Sequence, residues 1–339
     1  RGLGDVYKRQ IPNGIKTDTF TFFLLFFYSN IIGLNPGLAG LAIFIALCID
    51  AVSDPLMGTI SDRTNTRYGR RHPYMMISFI PMSLGYILLF APRQDWEMSQ
   101  NDLFIWMTIF TVMTRLGMTL FDIPHRAFGG EITKNYKERT LLMSWREMIG
   151  WVAGLSNAFL GYGVFFASTS LYPKGQLNPD AYFPFALTGA ALMILTVLYS
   201  SFTTLNENKS LSRWEGSITL KQIIQELLFA IGNKSFLIFF FGNLFISLAW
   251  GLSNSLTLFV NTYFWQFEAT QIKYFLPVYL ISTLSAFYLT PRLVNLFDKR
   301  FIVLMSIFLV GILSPAAFVM FNLGFTPCLL YTSDAADDG

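Results

Sequence analysis

Asp50, Ser53 and Asp54 fall at i, i+3 and i+4 within one apolar stretch, so a helix there carries all three oxygen-bearing side chains on one face. Two carboxylates that close cannot comfortably both ionise in a low dielectric; either one keeps a proton or a cation sits between them. A second stripe, Arg115, Thr119, Asp122 and Arg126, runs at i, i+4, i+7 and i+11, and Arg146 stands beside Glu147. Plainer readings stay open for each group. Asp54 before Pro55 could mark a helix kink, Asp122 could neutralise Arg115 or Arg126, and Arg146 with Glu147 could be a fixed ion pair. His125, next to Pro124, could relay protons or fill polar space. Hydrolytic chemistry lacks its parts: there are two scattered His, a single internal Cys48, and no Ser in a G-x-S-x-G elbow. The chain does not read as an enzyme.

The elements that must position these groups are transmembrane helices. Of 339 residues, 53% are hydrophobic and 13% charged, and 35 are Phe; a soluble protein carries about 25% charged residues. The mean hydropathy of +0.47 points the same way. A net charge of +3 is too small to argue for nucleic acid. A span needs about 20 apolar residues, and nine stretches qualify, near 15–34, 38–60, 74–92, 102–127, 141–168, 182–204, 236–265, 271–291 and 302–321. Loops after even-numbered spans hold Arg63, Arg67, Arg70, Arg71, then Lys134, Lys137, Arg139, then Lys209, Arg213, Lys221, Lys234, and finally Arg292, Lys299, Arg300. The odd-side loops hold only Arg93 and Lys174. The positive-inside rule therefore puts the even-side loops in the cytoplasm. An Asp or Arg at mid-membrane costs about 2.5–3.5 kcal/mol on insertion scales, so each charge in these spans needs a partner, a cavity or a function.

The longest connection, 205–235, separates six spans from three. Within it Leu220, Ile223, Ile224, Leu227, Leu228 and Ile231 recur at helical spacing, which predicts an amphipathic helix lying on the membrane surface. Residues 11–204 then form a six-helix half and 236–327 the start of a second, the plan of carriers built from repeated halves. The ends read differently. Back-translated and read on the opposite strand, Asp5–Gln10 encodes the residues found at 328–333, so 1–10 and 328–339 are expected to be translated sequencing-adapter ends rather than native sequence. Gly150, Gly154 and Gly161 predict close helix packing. Trp250, Tyr263 and Trp265 could line a cavity or sit at an interface.

The loop after the second span names a family. Gly58-x-x-x-Asp62-Arg63 followed by Gly69-Arg70-Arg71 resembles the cytoplasmic signature of the major facilitator superfamily, with Asp298-Lys299-Arg300 a weak echo in the second half. Physically, Gly58 would let two helices approach, Asp62 can pair with an Arg, and the basic run faces anionic lipid. Upstream, Asp50-Ala51-Val52-Ser53-Asp54-Pro55 is similar to the glycoside–pentoside–hexuronide:cation symporters, as are FYSNIIGLNPGLAG at 27–40, GMTLFDIP at 117–124, LKQIIQELL in the linker and TPRLVNLFDKR after the eighth span.

That resemblance implies an all-α membrane protein of the major facilitator fold, with nine of about twelve helices present. It implies a cation site at Asp50, Ser53, Asp54 and Thr119 for Na⁺, H⁺ or Li⁺; if the ion is Na⁺, Asp50 and Asp54 are its anionic ligands. Asp122, Arg126 and Arg146 then fall at solute-binding positions. A carboxylate and a guanidinium suit sugar hydroxyls, since one accepts and the other donates paired hydrogen bonds. The chain departs from the family where Ser53 replaces an amide, where Arg126 replaces a sugar-stacking Trp, and where Gly14, flanked by Asn13 and Asp18, replaces a sugar-binding Asp. The expected activity is cation-coupled symport of a sugar or glycoside by alternating access, by a monomer in the inner (plasma) membrane and without a cofactor. A carrier of an anionic or lipid-like solute and an uncoupled uniporter are the nearer alternatives. A membrane receptor or scaffold would leave the paired carboxylates unexplained.

Overall fold

The computed structural model describes residues 10–64, 66–132, 136–203, 229 and 232–323, with backbone alone for 128–132, 136–144 and scattered positions between 269 and 322. The predicted amphipathic helix at 220–231, apart from an exposed Phe229, lies outside the described residues. Among the described residues, nine helices stand where nine spans are expected. Helix α1 (Ile11–Thr19) continues through two wide turns, Phe20–Leu24 and Phe27–Ile32, and ends where Gly33 takes a left-handed φ of 85°. Asn35 caps α2 (Pro36–Arg63), its side chain accepting from the Gly37 N–H at 2.8 Å, with Pro36 in the first turn. Next come α3 (His72–Leu89), α4 (Gln100–Ile132), α5 (Tyr136–Leu160, widening over Gly161–Phe165) and α6 (Tyr182–Thr203). The second half contributes α7 (Lys234–Phe259, widening over Val260–Phe264), α8 (Ala269–Leu296) and α9 (Lys299–Asn322).

Seven described helices are long and apolar enough to cross a membrane, making this a multi-pass membrane protein. The two that fall short explain themselves. Helix α1 is diluted by Lys16 and Asp18, and the apolar part of α9 is the shorter Arg300–Ala316.

In the six-helix half, α2 packs along α4, α1 along α5, and α3 against α4 and α6. Small residues set these distances. A methyl group on Gly14 would lie 2.1 Å from the Gly150 carbonyl oxygen, so α1 and α5 cross almost backbone to backbone, as the glycines of α5 predict. Gly58 behaves otherwise: a methyl there would meet Ile123 at an ordinary 3.7 Å, so close approach is not what this glycine supplies. One end of the half is an aromatic core of Phe23, Phe27, Phe90, Phe166, Tyr182 and Phe185, with ring centroids such as Phe27–Tyr182 and Phe166–Tyr182 at 4.8 Å. The buried phenols are satisfied, Tyr28 donating to the Leu89 carbonyl and Tyr182 to that of Gln176, both at 2.7 Å.

Helices α7 and α8 seat against α1 and α5, while α9 touches little beyond α8. The halves are tied at the aromatic end. Tyr263 donates to Asn30 at 2.8 Å, Lys174 to the Thr262 carbonyl at 3.0 Å, and Gln176 to the Phe267 carbonyl at 3.0 Å. The Arg-rich loop lies at the opposite end of α2, where Gly69 turns the chain with φ 87° and Arg71 Nη2 reaches Asp62 Oδ1 at 2.7 Å. Among the signature residues, Asp62 and Arg71 thus clamp the loop, with Arg63, Gly69 and Arg70 between them.

Candidate functional site

Packing α2 along α4 brings the two polar stripes face to face. Thr119 Oγ1 donates to Asp54 Oδ1 at 2.7 Å. Four residues earlier on each helix, Arg115 Nη1 donates to Asp50 Oδ2, and the guanidinium also lies over the Phe20 ring of α1. Asp50 Oδ1 is buried without a hydrogen-bond partner. The Arg115 and Asp50 side chains are only 15% and 21% exposed, so each charge depends on the other for compensation. Ser53 is not drawn into this face: its hydroxyl turns back to the Asp50 carbonyl at 3.4 Å. A helical Ser readily bonds its own backbone, and spacing alone does not reveal that choice.

One turn towards the Arg-rich end, Asp122 Oδ2 pairs with Arg126 Nε at 2.6 Å, and its Oδ1 accepts from Gln10 at 3.5 Å. Asp122 therefore neutralises Arg126, not Arg115. Arg126 is half exposed, so part of its guanidinium stays available. On α5, Arg146 is buried and bonds Glu147 Oε1 at 2.6 Å, the plain ion pair, although its Nε has no partner. His125 is buried and stacks on Phe121 at 5.7 Å. Among the described residues no three His, Cys, Asp or Glu side chains gather as a metal site.

Helix α1 adds groups that the stripes of α2 and α4 do not announce. Gln10, expected from sequence to be non-native, is buried against Asp122 and Gly150. Lys16 lies within electrostatic reach of Arg115, Asp122, Asp50 and Asp54. Asp18 faces the other way, so close to Gly154 of α5 that a methyl there would sit 2.2 Å from its Oδ2. Beside it Thr19 accepts from Tyr86 at 2.7 Å and from Asn157 at 3.2 Å. The signal for Lys16 and Asp18 was in the sequence: ionisable residues inside a span are functional candidates by default.

Helices α1, α5, α7 and α8 line a half-open cavity of about 1170 Å³, and none of Asp50, Asp54, Asp122, Arg126 and Arg146 stands in its wall. Its wall is aromatic, with Trp145, Trp151, Tyr162, Trp250, Trp265 and Tyr279, and polar atoms come from Asn254, Thr257, Asn261 and Thr283. Trp151 and Trp250 meet edge to face at 6.3 Å across the two halves. Trp250 and Trp265 thus line the cavity, whereas Tyr263 ties the halves together. A pocket of this size, apolar with a few convergent polar groups, is of the kind that takes a small molecule.

The model of the MFS/sugar transport protein family matches residues 10–334. The chain belongs to that family. Among members of this sugar-transport family, an inner membrane symporter of Escherichia coli (strain K12), YicJ, is 30% identical over 47% of this chain and 33% of its own length. An isoprimeverose transporter of Lactiplantibacillus pentosus is 24% identical over 85% of the chain and 57% of its own. A sodium-dependent lysophosphatidylcholine symporter of Danio rerio, 1-A, is 31% identical over 50% and 31%. The chain spans between about a third and three fifths of the length of these relatives. The major facilitator fold and the family resemblance read from the Asp50–Arg71 segment are thereby shown.

Proposed function

We propose that this chain is the greater part of a secondary carrier that moves a sugar or glycoside together with Na⁺ or H⁺ by alternating access. The observation that carries the reading is the contact of Asp50 and Asp54 on α2 with Arg115 and Thr119 on α4, charges that a membrane span holds only for use. The cation joins Asp54 and Thr119, with Asp50 as the second carboxylate. The solute lies in the aromatic cavity, and Asp122, Arg126 and Arg146, which are outside its wall here, meet its hydroxyls only as the two halves rock. Cation binding relieves the carboxylate charge and favours solute, and by linkage solute tightens the cation equally. The ties at Asn30–Tyr263 and Gln176–Phe267 join the halves at the end opposite the Arg-rich loop, which supports a form open towards the cytoplasmic side of an inner-membrane carrier.

A second reading has its own support. The cavity wall carries few polar atoms and Arg126 is half exposed, which also suits an anionic, lipid-like solute. Uptake of labelled glycosides, pentosides and lysophospholipids by cells expressing the complete gene, with and without Na⁺ at fixed pH, separates the two. Sugar uptake lost in Asp54→Asn supports the first; uptake of the lipid alone supports the second; no cation dependence of any uptake overturns coupling.

A further inference from the structure

The charges of the site do not close among the groups assigned so far. Asp50 is paired with Arg115, Asp122 with Arg126, and Glu147 with Arg146. Among the described residues Asp54 has the Thr119 hydroxyl as its hydrogen-bond partner, and Lys16 of α1 has Arg115, Asp122, Asp50 and Asp54 within electrostatic reach. Asp18 is not the partner of that amine, because two residues along a helix turn it through about 200°, onto the face packed against Gly154.

The register of α1 against α4 puts Lys16 at the right level. Near one end of this stretch Gln10 reaches Asp122, and near the other Phe20 lies under Arg115. Lys16 lies between Gln10 and Phe20 on α1, as Thr119 lies between Arg115 and Asp122 on α4. Thr119 is the residue that holds Asp54. The ammonium ends a flexible four-carbon stem able to swing between the helices.

We propose that the Lys16 ammonium is a tethered cation of the Asp54 site. It neutralises Asp54 when no free cation is bound, and Na⁺ binds only by displacing it. Lys16 is then a specificity-determining residue that sets how much Na⁺ the carrier needs. This rests on the cation-site reading of Asp50 and Asp54, and it adds a competitor contributed by the protein itself. A fixed ammonium also explains how Asp54 stays folded into an apolar bundle while the site is between ions.

The test is ²²Na⁺ equilibrium binding to the purified full chain in detergent, comparing wild type, Lys16→Met and Lys16→Arg. Removing a like charge within electrostatic reach of the bound ion tightens Na⁺ on the order of tenfold to a hundredfold. Lys16→Met is expected to show that gain, Lys16→Arg to bind as weakly as wild type, and Lys16→Met/Asp54→Asn to lose it. Equal affinity in wild type and Lys16→Met overturns the proposal, and so does absence of binding in both. If Lys16→Met misfolds, Lys16→Gln carries the same comparison. The coupling reading fails separately: cation-independent uptake by wild type would sink it whatever the Na⁺ affinities, whereas cation-driven uptake with unchanged Lys16→Met binding sinks only the tethered cation.

Discussion

Replacing Arg115 with Met should strip Asp50 of its counter-charge and expose how the α2–α4 face is held together. The two side chains are 15% and 21% exposed, and Asp50 Oδ1 is already without a partner, so water can do little for the stranded carboxylate. Removing one member of a buried pair costs about 3–5 kcal/mol, and the partial exposure here points to the lower figure, about 3 kcal/mol. Replacing both members with groups of similar volume is often close to neutral, so Arg115→Met/Asp50→Asn should recover most of the loss. The assay is a double-mutant cycle of denaturant or thermal unfolding of the detergent-solubilised chain. A coupling energy of about 2 kcal/mol or more is expected. Additive losses, with the double variant less stable than either single one, would refute the pairing.

Three further outcomes follow from the geometry. Gly14→Ala should destabilise the chain by about 1–3 kcal/mol or abolish its folding, because its methyl meets the Gly150 carbonyl oxygen at 2.1 Å, whereas Gly163→Ala, with open space around it, should change unfolding little. Gln176→Ala removes donors to Thr262 and Phe267 at the tied end of the halves, so a thiol probe placed at Asn30 should label faster than in the parent. Trp250→Ala removes a cavity wall and its edge contact with Trp151, and should weaken solute binding by about tenfold or more while leaving Na⁺ binding unchanged.

The helices were legible because a membrane leaves the backbone few choices: runs of about 20 apolar residues must be helical. The face shared by Asp50 and Asp54 was legible for the same reason, since helical periodicity fixes direction around the axis. Partners were not. Apart from Asp122 with Arg126, an i,i+4 pair readable within α4, the pairing depends on packing: that Arg115 meets Asp50 is set by the register of α4 against α2, and nothing along one chain segment encodes that. For Ser53, spacing says where a hydroxyl points but not that the Asp50 carbonyl will accept from it. Gly58 was read as a contact glycine from its motif, whereas Gly14, in a less suggestive setting, is where two backbones touch. Lys16 escaped notice, though a Lys inside a span carries the same message as an Asp.

The account turns on Asp54 holding the coupling cation. Its most direct test is equilibrium binding of the transported solute to the complete carrier in Na⁺ and in choline, at several pH values, for wild type and Asp54→Asn. The account predicts that Na⁺ or protons lower the solute Kd in wild type, that solute lowers the cation Kd by the same factor, and that Asp54→Asn abolishes both effects while still binding solute. Cation-stimulated solute binding that survives in Asp54→Asn would contradict it.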